Sequence, residues 1–306
     1  MPEKHLVVGA GPVGRATAEQ LVLAGHEVIL ASRSGTGPEV SGATRIALDA
    51  ADVEQVTKAA EGARAIFNCV NPPAYDKWEA MWPPIAAALL EAAERTGALL
   101  VTASNLYAYG PVDGPMVEGM PDSGEGKKAR LRATMWADAL AAHQDGRIRA
   151  VEVRASDYMG PDVGDNGHIP RLVPRALAGK PVRVLGSPDQ AHSWTDVLDM
   201  ARALVAVAAR EDSWGRVWHA PTNPPRTQRE AVADVCRAAG REPVEVKAYP
   251  KAMLTLGGLM SPTLRELKET AYQFERPYVL DSGAISRELG LEPTPWDEVC
   301  RRTAGL

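Results

Sequence analysis

The chain has 306 residues, 45% apolar and 24% charged, with a formal net charge of −5. That length suits one large α/β domain with an appended lobe, and the charge gives none of the basic footprint that nucleic-acid binding requires. Cys69, Cys236 and Cys300 lie far apart and outside any CxxC or metal-ligand spacing, so a reducing, cytoplasmic setting is expected and a zinc site is not. No apolar segment precedes the first strand or is long enough to span a bilayer, so neither a secretory signal nor a membrane partner is expected.

His5-Leu-Val-Val8 has the apolar, β-branched character of a buried parallel strand. It runs into Gly9-x-Gly11-x-x-Gly14 and an Ala/Leu-rich helical stretch. Strand, glycine turn and helix in that order predict a dinucleotide cradle. Gly9 allows the tight turn, Gly11 admits a pyrophosphate, Gly14 lets the helix pack on the strand, and Pro12 and Val13 open the helix that faces the phosphates. A second strand, 27–31, ends in Ser32-Arg33, where an NAD site carries Asp or Glu. A hydroxyl and a guanidinium suit a 2′-phosphate, so the expected cofactor is NADP(H).

A third short strand over 44–49 places Asp49 near the adenine, and 53–61 reads as an amphipathic helix. The fourth strand, 65–70, ends at Val70 and Asn71, in a loop that passes the cofactor. Tyr75 to Met81 reads as irregular or a short helix, with Pro83-Pro84 in the first turn of a longer helix closed by Gly97. The fifth strand, 98–103, carries Thr102 and delivers Ser104, Asn105, Tyr107 and Tyr109 to the carboxyl edge, where open α/β sheets bind ligands. Residues 111–126 read as a mobile loop, 127–143 as a helix, and 149–154 as a sixth strand. The alternation predicts an α/β fold with a doubly wound, Rossmann-type parallel sheet.

Beyond it, 169–178 reads as helical, 182–185 as a short strand and 195–210 as a helix returning to the sheet. Thr227-Gln-Arg-Glu230 forms a capping box, and Ser261-Pro262 opens another helix. The expected division is a dinucleotide-binding domain over 1–165, completed by about 190–222, and a smaller C-terminal substrate-binding lobe over 166–306.

Five motifs occur in a telling order: the glycine turn with Ser32-Arg33, ASNLYAYG (103–110), VRASDYMGP (153–161), HSWTDVLDMARAL (192–204) and VLDSGAISRELGLEPTPWDE (279–298). Over nearly the whole chain this resembles the extended short-chain dehydrogenase/reductase superfamily, in its NAD-dependent epimerase/dehydratase branch. The resemblance implies a catalytic tyrosine four residues before a lysine, with a Ser or Thr after strand five. No Tyr-x-x-x-Lys occurs in the sequence. Counted from the loop and helix, the tyrosine position falls near Gly126 and the lysine position near Arg130, while the Ser/Thr position is Asn105. Arginine can anchor a ribose or phosphate but is a poor proton relay, so the cofactor half of the pattern carries over and the catalytic half does not. That resembles the atypical branch, which includes reductases with other acids and proteins that only sense the cofactor.

Substitute catalytic residues are Tyr107, with Tyr109 beside it, Lys128, with Lys127, and Asp157, where the family usually has Asn. Against these stand plain packing for the tyrosines, a solvated face for the lysines and a turn-forming role for the aspartate. His168 and His192 read as proton carriers or structural hydrogen-bonders. Arg171 and Arg175, one turn apart, read as an anion grip or a solvated face. The expected activity is an NADP(H)-dependent oxidoreductase or epimerase acting on a small hydroxy or keto compound or a nucleotide sugar, the alternative being a non-catalytic NADP(H) sensor. A small-molecule substrate is the expected partner, with a homodimer as the assembly.

Overall fold

The computed structural model describes residues 1–72, 74–250 and 268–306. Its centre is a seven-stranded parallel sheet. In chain order come β1 (Lys4–Val8), α1 (Pro12–Leu23), β2 (Glu27–Ser32), β3 (Ala43–Ala47), α2 (Val53–Ala60), β4 (Ala63–Asn68), α3 (Trp78–Thr96), β5 (Leu99–Asn105), α4 (Lys127–Gln144) and β6 (Arg149–Ala155). Then follow β7 (Asp157–Met159), α5 (Val173–Leu177), β8 (Val182–Val184), β9 (Trp194–Asp196), α6 (Val197–Ala208), β10 (Val217–His219), α7 (Gln228–Ala238) and β11 (Val246–Ala248). Three helices close the chain, Tyr272–Glu275, Gly283–Leu289 and Trp296–Thr303.

The sheet order is β10-β6-β5-β4-β1-β2-β3, so its direction reverses between β4 and β1. Loops leaving these two strands diverge, which opens a crevice at their carboxyl ends. The strands are apolar on both faces because helices cover both. Val7, Phe67, Val101 and Val153 pack toward α1, α6 and Ile285, whereas Leu6, Ile66 and Leu100 pack toward α2, α3 and α4. A third core, holding Val184, Trp194, Val232, Val246 and Phe274, builds the smaller C-terminal part. Among the described residues, no helix is long and apolar enough to cross a membrane.

Three local expectations differ from what forms. Helix α3 starts at Trp78, and both prolines lie inside it. Burial of Trp78 and Trp82 holds the early turns in place despite the backbone donors that Pro83 and Pro84 lack. The helix expected from Thr195 starts at Val197, because Trp194–Asp196 is spent on pairing with β7, and Asp196 then caps the helix through the Leu198 N–H. The loop over 111–126 is pinned. Met116 is fully buried and exchanges backbone bonds with Val279 and Asp281, and Asp122 takes a two-pronged bond from Arg154. The helix start expected at Ser261-Pro262 lies outside the described residues.

Candidate active site

Gly9 has φ +104, and a Cβ there would stand 2.5 Å from the Cys69 carbonyl oxygen. At Gly14 a Cβ would fall 1.8 Å from the Gly9 carbonyl oxygen. Both glycines are therefore demanded by the fold. Gly11 differs, because a Cβ there meets nothing within 4 Å. It caps α1 without a side-chain bond, Pro12 follows at the first helical position, and no acid occupies the first turn. The unsatisfied N–H groups and positive dipole end of α1 thus face open space at the switch point, where they fit a dinucleotide's pyrophosphate. Val13 begins the same turn, half-buried.

At the end of β2, Ser32 Oγ accepts the Gly35 N–H at 3.1 Å. Arg33 is exposed and has no hydrogen bond among the described residues. Asp49 lies two residues past β3 and is exposed, with Oδ1 taking the Ala51 N–H at 3.0 Å, so it shapes its own turn. Beyond β4, the Val70 N–H donates to Asn68 Oδ1 at 3.3 Å, and Asn71 is exposed. Thr102 sits inside β5 opposite Asn68 and Glu152, and Ser104 is buried.

Arg130 is exposed and donates to the Glu125 carbonyl. Because α4 starts at Lys127, its period puts Lys128 and Arg132 on the inner face and Arg130 on the outer one. Lys128 is 2% exposed, with Nζ 3.1 Å from Glu269 Oε2 and 5.1 Å from the centre of the Tyr75 ring. Arg132 is 5% exposed and lies over the rings of Trp82 (4.2 Å) and Trp78 (4.9 Å). Its Nε and Nη1 are buried with no partner among the described residues. Burial lowers the Arg132 pKa to about 10, which keeps the guanidinium charged at neutral pH.

Facing this inner side of α4 is a pair of phenols. Tyr75, from the loop after β4, and Tyr107, from the turn after β5, hold their hydroxyl oxygens 2.7 Å apart. Asn105 Oδ1 accepts the Tyr107 N–H at 3.1 Å and fixes that turn. Burial raises both phenol pKa values, that of Tyr107 the more strongly.

Asp157, at the start of β7, completes the group. Its Oδ2 lies 2.8 Å from His192 Nε2. Burial opposes ionisation of Asp157, but the His192 hydrogen bond, with the Arg171 guanidinium nearby, outweighs it and holds the carboxyl below its usual range. His192 Nδ1 donates to the Gln273 carbonyl at 3.1 Å, which turns Nε2 toward Asp157 Oδ2.

His168 is settled differently. Gln228 Nε2 donates to the Leu185 and Ser187 carbonyls, so its Oε1 accepts from His168 Nε2, and His168 Nδ1 then accepts from Arg171 Nη2 at 3.1 Å. Burial pushes its pKa down to about 4, which leaves a neutral ring stacked 4.1 Å from Phe274. Arg175 donates to the Pro181 carbonyl and shares no ligand with Arg171. Tyr109 is drawn into a separate buried group with His219 (2.8 Å) and Arg154. Lys127 is exposed and pairs with Glu79 at 3.0 Å.

The structure thus gathers Asn105, Tyr107, Lys128, Asp157 and His192 at one sheet edge, together with Tyr75 and Arg132, which the sequence reading passed over. A further residue, Arg15 in α1, reaches Asp162 at 3.2 Å and ties the glycine-turn helix to the loop after β7. The four-residue spacing of Lys128 and Arg132 was a readable signal, whereas nothing local marks Tyr75.

Comparison with known proteins agrees with this architecture. The sequence profile of the NAD dependent epimerase/dehydratase family matches residues 5–219. A dTDP-glucose 4,6-dehydratase from Salmonella typhimurium is 29% identical over 151 residues, 48% of this chain and 37% of that protein. One from Xanthomonas campestris pv. campestris is 25% identical over 158 residues, 50% of this chain and 40% of its own length. The matched part thus spans about two fifths of these relatives. A Thermus thermophilus UDP-glucose 4-epimerase, solved with NAD, superposes with a TM-score of 0.78 at 22% identity, covering 99% of this chain and 98% of that one. A Thermotoga maritima UDP-glucose 4-epimerase, solved with UDP-glucose, gives 0.80 at 18% identity, covering 99% and 97%. By sheet order, glycine turn and the profile match across most of its length, the chain belongs to the NAD dependent epimerase/dehydratase family.

Proposed function

We propose that this chain is a nicotinamide-dinucleotide-dependent oxidoreductase or epimerase acting on a nucleotide sugar or a related small hydroxy or keto compound, with NADP(H) preferred. One observation carries the reading: the open phosphate cradle at Gly11 and the cluster of Tyr75, Tyr107, Lys128 and Asp157 sit at the same edge of one sheet. A dinucleotide lying across the switch point would bring its nicotinamide toward that cluster and supply hydride chemistry there. Gly9, Gly11, Pro12, Val13 and Gly14 would hold the pyrophosphate, with Asp49, Val70 and Asn71 along the adenosine and Thr102 and Ser104 near the far end. Arg132 takes over the ribose-anchoring part given above to Arg130, since its unpartnered donors are on the inner face.

Arg33 supports the NADP(H) preference, being exposed at the end of β2 with no carboxylate in its place. The part beyond residue 166 supplies Asp157's partner His192 and the aromatic wall around it, which suits a substrate-binding lobe. Free, buried Cys69, Cys236 and Cys300 suit a reducing, cytoplasmic setting.

The sensor alternative draws on Lys128, which is held against Glu269 in an ion pair. The test is a fluorescence titration with NADPH and NADH, followed by absorbance of the reduced cofactor with UDP-glucose, dTDP-glucose and their keto derivatives. Tight NADPH binding with turnover supports the enzyme, binding without turnover across a broad carbonyl panel supports the sensor, and no binding refutes both.

A further inference from the structure

The residue aligned with the family's tyrosine in the sequence reading is Gly126, at the cap of α4, and a phenol pair stands against the inner face of that helix. We propose that Tyr75 is the catalytic proton donor of this protein, with Tyr107 as the positioning residue that holds and supports its oxygen. The proposal rests on the oxidoreductase reading above.

Proton counting selects Tyr75. Two hydroxyls share one contact of 2.7 Å, so one proton lies between the oxygens and the other is free to point elsewhere. Tyr107 is 8% exposed, walled in by Trp78 at 6.1 Å and by Tyr75 itself. Tyr75 is the more open ring, on the loop that leaves β4 beside the switch point. Tyr107 is therefore the donor within the pair, and the Tyr75 proton is the one available to a bound oxygen.

Burial keeps the Tyr75 phenol above the ordinary tyrosine range, and the Tyr107 hydrogen bond with two guanidinium charges offsets part of that cost to a phenolate. Lys128 Nζ lies 5.1 Å from its ring centre, and the charges of Arg132 and Arg171 act on it. Against these stand Asp157, the Glu269 carboxylate on Lys128, and burial, which together keep the phenol protonated at rest. Tyr278 acts on Tyr107, and the exposed Asp76, Glu79 and Lys127 line a small pocket beside Tyr75. In the step itself, the proton on Tyr75 Oη passes to a carbonyl oxygen of the substrate while the carbonyl carbon gains a hydride from a reduced nicotinamide dinucleotide. The carbonyl becomes an alcohol, the dinucleotide is oxidised, and the phenolate left on Tyr75 keeps the Tyr107 hydrogen bond until water reprotonates it.

The test is a near-ultraviolet titration of tyrosine ionisation on the full chain, with and without saturating NADP⁺, in wild type, Tyr75→Phe and Tyr107→Phe. The cationic ring of the oxidised cofactor should bring one phenol's ionisation down by about one pH unit or more, the size expected of one nearby charge. That shift should vanish in Tyr75→Phe and shrink in Tyr107→Phe, with melting temperature and NADPH affinity near wild type in both. A shift that survives in Tyr75→Phe, or none in wild type that binds NADP⁺, overturns the assignment. With any carbonyl compound that wild type reduces, Tyr75→Phe should lower kcat about a hundredfold or more and leave NADPH affinity unchanged. Failure of wild type to bind either dinucleotide removes the oxidoreductase reading itself, and the separate affinity measurement tells the two failures apart.

Discussion

The same methyl group, added three residues apart, should have opposite consequences. At Gly14 the new Cβ would lie 1.8 Å from the Gly9 carbonyl oxygen, whereas ordinary contact begins at 3.4 Å, so α1 or the turn must give by 3.4 − 1.8 = 1.6 Å. Glycine to alanine inside a helix ordinarily stabilises by about 0.5–1 kcal/mol. Here that gain is overturned by a clash with backbone, and overpacking of this kind costs about 1–3 kcal/mol or more. Gly14→Ala should therefore melt several degrees below wild type, at about 2–4 °C per kcal/mol for a chain of this size. At Gly11 the Cβ meets nothing, and φ −73 suits alanine, so Gly11→Ala should melt within about a degree or two of wild type. Its methyl would instead stand where a phosphate approaches the N–H groups of α1. Loss of one charge-assisted bond there weakens NADPH by roughly ten- to hundredfold. Thermal unfolding and a fluorescence titration read both variants. A Gly14→Ala protein as stable as wild type, or a Gly11→Ala protein that binds NADPH undiminished, would refute the division of the glycine turn into fold and ligand positions.

Other expectations follow from single groups. Arg33→Asp should lower the NADPH-to-NADH affinity ratio at least about tenfold, and an unchanged ratio in paired titrations would remove the basis for the NADP(H) preference. Burial holds His5, His168 and His219 near a pKa of about 4 against 6.5 unfolded, so the unfolded chain takes up protons first and stability should fall as pH drops from about 6.5 toward 4. By pH 5 each contributes a loss of at most about 2 kcal/mol, partly offset by Asp196, whose folded carboxyl is raised to about 6 by burial. Urea unfolding at pH 7 and pH 5 measures the difference, and stability that rises on acidification would contradict it. Arg154→Met would strand Asp122 and the buried Glu152, at a cost of about 3–5 kcal/mol, and should free the loop over 111–126 to limited proteolysis. Unchanged cleavage there would show that Met116 alone pins the loop.

The fold was readable because its signals are local. Apolar strands, the glycine turn and the Thr227/Glu230 capping box each act over a few residues, and each formed where the sequence placed it within a residue or two. The site was legible only in part, because its members come from loops whose positions depend on distant packing. Asn105 and Tyr107 could be found as the end of a strand, but Tyr75 could not, since its partner lies 32 residues away. Arg130 was singled out by counting along the chain, whereas in α4, which starts at Lys127 as expected, the buried side chains are Lys128 and Arg132. The two histidines shared one chemical description, yet Gln228 makes His168 a fixed neutral strut while His192 is turned onto the Asp157 carboxylate.

Strand β10 lies at the edge of the main sheet against β6, and α6 with Ile285 covers the face on which α1 rests. During synthesis, the glycine turn leaves the ribosome some two hundred residues ahead of the surfaces that bury its helix. The nascent amino-terminal half must therefore wait with an apolar flank uncovered, a state open to chaperone capture or misassociation. A protein cut after β6 should aggregate instead of yielding a small stand-alone cofactor binder.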